Sequence, residues 1–85
     1  MIRADRVEDE TGISLDMSTW TWEKYKSTGL DVRAVRAPQP IRLVPTDIVK
    51  ETVEVPTGHW LVEFSDGAFE VLGPASFYRK YRKDE

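Results

Sequence analysis

His59-Trp60-Leu61-Val62-Glu63-Phe64, Ser65-Asp66-Gly67-Ala68 and Phe69-Glu70-Val71-Leu72 read as two β-rich runs joined by a turn. Asp-Gly tolerates the positive φ that a tight type I′ turn needs at both central positions, so the stretch predicts a β-hairpin. Trp60, Val62 and Phe64 then share one face and Leu61 and Glu63 the other. On the return strand Phe69 and Val71 alternate with Glu70 and Leu72.

Toward the C-terminus, Gly73-Pro74 ends the hairpin and opens a helix, because proline loses no hydrogen bond in a first turn. Within residues 75–83, Phe77 and Tyr81 stand four apart with Tyr78 beside them, a narrow aromatic stripe expected to lie on the sheet. Arg79, Lys80, Arg82 and Lys83 cover the opposite side and suit the negative end of the helix dipole.

Toward the N-terminus, residues 47–55 fit a strand, with or without a bulge, and Ile41-Arg42-Leu43-Val44 is a short run bounded by Pro45. Leu30-Asp31-Val32-Arg33-Ala34 alternates as a strand that Pro38 and Pro40 stop, and Ser27-Thr28-Gly29 is a turn before it. Thr19-Trp20-Thr21-Trp22-Glu23 alternates with period two, which favours extended structure over a helical turn capped by Thr19. Residues 1–12 are acidic and lack a sustained period, so they read as a flexible arm before a single domain over 13–85. The expected architecture is α+β: three to five short, mainly antiparallel strands in a small curved β-sheet or partial barrel, with a short C-terminal helix.

With 85 residues, 40% apolar and 11% aromatic, the chain has the balance of one globular domain. No cysteine is present, which excludes disulfides and thiolate chemistry and fits a reducing, cytoplasmic setting. No apolar run approaches the roughly 18 residues of a membrane span. The net charge of −3 conceals alternating blocks. Residues 1–23 carry two basic and six acidic side chains, 24–42 five and one, 43–70 one and six, and 71–85 four and two. Opposite blocks in one small domain are expected to pair or screen one another.

Catalytic sets are missing by subtraction. One histidine and no cysteine cannot assemble an ordinary His/Cys metal site, and no serine sits in a G-x-S-x-G context for His59 to serve. His59 reads as an exposed residue at a strand entrance. The five glycines form no phosphate-binding signature. No cofactor, metal or enzymatic activity is expected.

Val55-Pro56-Thr57-Gly58-His59-Trp60-Leu61-Val62-Glu63-Phe64-Ser65-Asp66-Gly67, followed by Phe77 and Tyr81, resembles the ending of small phage and prophage proteins of the PGDYG-like group. Those proteins carry P-G-D-[YW]-aliphatic, a glycine turn and F-x-x-x-Y. Upstream, Tyr25-Lys26 and Val32-Arg33-Ala34-Val35 are similar to the group's opening, and the likeness spans residues 24–82. Thr57 is an insertion here, and His59 stands where the group has Asp. The resemblance implies a viral or prophage origin and no particular activity.

The expectation is a small non-enzymatic interaction module binding a host or virion protein, as a monomer or weak homodimer. Trp20, Trp22 and Tyr25 are its candidate partner-binding residues, since aromatics dominate interface centres. The alternative is nucleic-acid binding through the basic segments 33–42 and 79–83, using Arg33, Arg36, Arg79, Lys80, Arg82 and Lys83 with Tyr78 for stacking. A sequence pI near 5.1 weighs against it.

Overall fold

The computed structural model describes residues 2–83, the side chains of Ser27 and Lys83 excepted. Among these residues the strands and the α-helix follow in the order β1 (Ile2–Asp9), β2 (Glu23–Ser27), β3 (Leu30–Arg36), β4 (Ile41–Pro45), β5 (Val53–Val55), β6 (Trp60–Glu63), β7 (Ala68–Leu72), α1 (Pro74–Lys80) and β8 (Arg82–Lys83). The strands join one open antiparallel sheet ordered β5-β4-β1-β7-β6-β3-β2-β8, which gives the α+β class expected and more strands than the three to five foreseen.

Two apolar clusters occupy opposite faces of this sheet. On β6, Leu61 joins Val7, Val35, Ile41, Leu43, Val55 and Phe69, while Trp60 and Val62 point the other way toward Tyr25, Val32, Phe77 and Tyr81. β6 is buried on both sides because β3 and β7 flank it and each face has its own cover. The second face is covered by α1, whose Phe77 is fully buried and stacks on Trp60 with ring centroids 4.1 Å apart. Phe77 also meets Tyr25 edge-on at 4.8 Å, a geometry that the ring quadrupoles favour. Leu15, Met17, Trp20 and Trp22 pack against the first cluster.

The supposed flexible arm is a correction. Residues 2–9 are β1, which pairs with β7 through Ile2 and Arg3 and with β4 through Ala4 to Asp9. The register shifts between Ala4 and Arg6, so β1 carries a bulge and Val7 is buried out of step with Ile2 and Ala4. The division at residue 12 therefore does not hold, because β1 is internal to the sheet.

The turns also differ from expectation. Phe64 donates its N–H to the Ala68 carbonyl at 2.9 Å and Gly67 donates to Phe64 at 3.0 Å, closing a three-residue loop instead of a two-residue one. Only Gly67, at φ +87°, is left-handed there, and Asp66 Oδ1 accepts the Ala68 N–H at 3.0 Å. The tight two-residue turn lies between β2 and β3, where Thr28 (φ +28°) and Gly29 (φ +81°) both take positive φ. Thr28 is β-branched and strained in that region. Thr28→Asn should stabilise the protein by about 1 kcal/mol, seen as a higher urea midpoint at unchanged slope.

Three further expectations are corrected. Met17–Thr19 is a 3₁₀ turn capped by Asp16, and extended pairing begins only at Glu23. From 47 to 55 only Val53–Val55 is strand; Ile48 and Val49 stand 95% and 83% exposed on a turn held by Asp47. Helix α1 stops at Lys80, and Arg82–Lys83 pairs with Tyr25 and Lys26 of β2.

Candidate functional site

The sequence candidates separate once placed on the fold. Tyr25 is a correction: it is 6% exposed inside the α1-facing cluster and offers no anchor to a partner. Its hydroxyl donates to Glu23 Oε2 at 3.2 Å. Burial first, and then that carboxylate, push the phenol up to about 12. A neutral Tyr25 therefore favours the folded state below pH 10, where a free phenol begins to ionise, and that contribution is lost as the pH rises through about 12. Tyr81, raised by burial in the same way, adds to the loss. Alkaline titration followed by circular dichroism should show unfolding across this window, displaced to higher pH in Tyr25→Phe if that variant folds.

Trp20 and Trp22, the other two candidates, are half-buried and pack against the first cluster. Trp22 donates its indole N–H to the Met17 carbonyl at 3.0 Å, and the Arg33 guanidinium lies 5.3 Å from its ring centroid. Arg33 is in turn held by Glu63, with Nε donating to Oε1 at 3.1 Å. Trp22 is thus pinned from two sides. Trp20 instead borders a groove of about 420 Å³ at the end of the sheet. Its lining includes Ala34 and Arg36 of β3, Glu23 of β2, Thr21, Pro38 and Trp60. Its position follows from local sequence: Pro38 ends β3 just past Arg36, and the 3₁₀ turn brings Trp20 across that open end.

Electrostatics distinguishes the basic residues. Arg3 pairs with Asp66 at 3.2 Å, Arg42 with Glu54 at 3.9 Å, Lys80 with Glu70 at 2.9 Å, and Arg33 with Glu63. Each of these draws its acid from the 43–70 block, which is the pairing between blocks that the charge pattern suggested. Such exposed pairs each contribute about 0–1 kcal/mol, so their effect is to occupy charges more than to hold the fold. Arg33 and Lys80, two of the nucleic-acid candidates, are thus ion-paired within the domain. Arg36, Arg79 and Arg82 make no ion pair among the described residues. The Lys83 side chain lies outside the described residues. Tyr78 is 63% exposed and meets Trp60 edge-on at 5.9 Å.

Among the described residues, the buried polar atoms His59 Nδ1, Trp60 Nε1 and Tyr81 OH lack hydrogen-bond partners. All lie along the contact between α1 and the sheet, for Trp60 stacks on Phe77, Tyr81 follows the helix, and His59 Nε2 is 3.8 Å from where a Gly73 Cβ would stand. His59 is thus half-buried against the helix start, where the sequence suggested exposure. Among the described residues no group of three or more His, Cys, Asp or Glu could hold a metal ion, and no helix is long and apolar enough to cross a membrane.

Sequence reasoning missed Pro38, Ala34 and Trp60 as neighbours of Trp20, since they converge only through the β3–β6 register. The one local signal was the Arg36-Ala37-Pro38 strand end. Comparison of the chain with protein-family models, curated proteins and solved structures finds no match in any of the three.

Proposed function

We propose that this chain is a small non-enzymatic interaction module that binds a protein partner through the groove between Trp20 and Trp60. The observation that carries this reading is the groove itself: two tryptophans, a proline and an arginine without an ion pair among the described residues, brought together at one end of the sheet. Rigid aromatics and arginine supply most binding energy at protein interfaces, because they bury large areas at little entropic cost. The alternative hollow of about 350 Å³ beside β2 is bordered by Arg33 and Glu63, which already satisfy each other. On this reading the protein acts in the cytoplasm as a monomer or weak homodimer, and as a phage or prophage accessory protein if the hairpin–helix resemblance reflects its origin. Of the residues proposed for the nucleic-acid alternative, Arg36, Arg79 and Arg82 make no ion pair among the described residues and Tyr78 is exposed, while Arg33 and Lys80 are already paired.

Capture from cell lysate tests this. Wild type should retain a protein at both low and high salt, and Trp20→Ala should lose most of it. Thr21→Arg, which fills the groove mouth from an exposed position, should lose it with the fold intact. Retention of nucleic acid that is released by salt would overturn the proposal.

A further inference from the structure

We infer that the groove's occupant is an extended acidic peptide segment, its carboxylate set against Arg36 and an apolar or proline side chain against Trp20. This deepens the proposed function and rests on it. Arg36 carries the charge argument. The cations Arg3, Arg33, Arg42 and Lys80 are each matched by an acid from within the chain, whereas Arg36 makes no ion pair among the described residues.

The groove's own carboxylate, Glu23, makes no ion pair with Arg36, and its Oε2 accepts the Tyr25 hydroxyl. The Arg36 guanidinium is also placed: its Nη2 lies 3.6 Å from where a Gly58 Cβ would stand, and Gly58, at φ +86°, leaves that space open. An arginine held at a groove rim suits a carboxylate, whose two oxygens match two parallel N–H donors.

Size and shape select the rest. A cleft of about 420 Å³ receives a few side chains, not a helix some 10–12 Å across. The flat faces of Trp20 and Pro38 suit an extended or polyproline chain, which arrives with little conformational entropy left to lose, while Trp60, stacked on Phe77, forms the buried wall behind them. A nucleic-acid strand would meet only this single cation in the groove lining, with Arg33 and Arg42 already paired.

Selection from a displayed library of random dodecapeptides decides the matter, run on wild type, Arg36→Gln and Trp20→Ala, each checked for an unchanged amide spectrum. Wild type should enrich sequences with Asp or Glu next to Pro or an aliphatic residue. The best such peptide, synthesised, should bind about tenfold more weakly to Arg36→Gln. Replacing its acid by the amide should cost the same factor on wild type and almost nothing further on Arg36→Gln. If selected peptides bind wild type and Arg36→Gln equally, the charge assignment fails while the peptide-binding function stands. If no peptide is selected while a protein is still captured from lysate, the extended-peptide assignment fails and the proposed function stands; if a twelve-nucleotide dT strand binds and no peptide does, both fail.

Discussion

A chain beginning at residue 10 should show no cooperative unfolding transition. β1 is a bridge: its first residues pair with β7 and the remainder with β4, so its removal separates β4 and β5 from the rest of the sheet. It would also uncover Ile41, Leu43 and Val55, whose cluster Val7 completes. Small domains bury only about 60–65% of their unfolded surface and have little stability in reserve, so a lost internal strand is not compensated. Chemical denaturation followed by tryptophan emission is the measurement. Val7→Asp should approach the same result from one site, because an unpaired carboxylate among apolar side chains costs several kcal/mol. A truncated chain that still unfolds cooperatively would return residues 1–9 to the status of an arm.

Phe77→Ala should remove about 3–5 kcal/mol, the usual range for deleting a buried aromatic ring. An 85-residue domain has roughly 4–13 kcal/mol in all, so this is a large fraction of it. Phe77 is fully buried and touches four other aromatic rings, those of Tyr25, Trp60, Tyr78 and Tyr81, and is the buried residue within α1. The melting temperature should fall by on the order of 15–30 °C. Phe77→Leu, which keeps most of the volume, should fall much less. Equal losses for the two variants would mean that the stacked geometry with Trp60 matters more than the space filled.

The hairpin was legible because Asp66-Gly67 sits between two β-rich runs; its loop length was not, because register is fixed by the Phe64–Ala68 pairing across the turn. β1 was hidden by its own bulge. Ile2 and Ala4 lie half-buried in alternation, then Val7 comes in out of phase, and a chain with that pattern shows no period two. Phe77 and Tyr81 were recognisable from their four-residue spacing, whereas the end of the helix at Lys80 follows from Arg82 pairing with β2. The groove was the least legible feature, for it needs Trp20 from a loop, Arg36 from a strand end and Trp60 from a distant strand. Tyr25 misled because an aromatic between two lysines resembles a surface residue, while strand alternation turns it inward and both lysines out.

The three tryptophans provide the most direct test of the groove as the binding site. Their indole N–H groups give separate nuclear magnetic resonance signals, and Trp22's is hydrogen-bonded to Met17 whereas Trp60's has no partner among the described residues. On titration with a captured partner or selected peptide, the Trp20 and Trp60 indole signals should shift together with the Arg36 amide, leaving Trp22 nearly unchanged. Shifts confined to Trp22, or to Arg79 and Arg82, with Trp20 and Trp60 unmoved, would contradict the account.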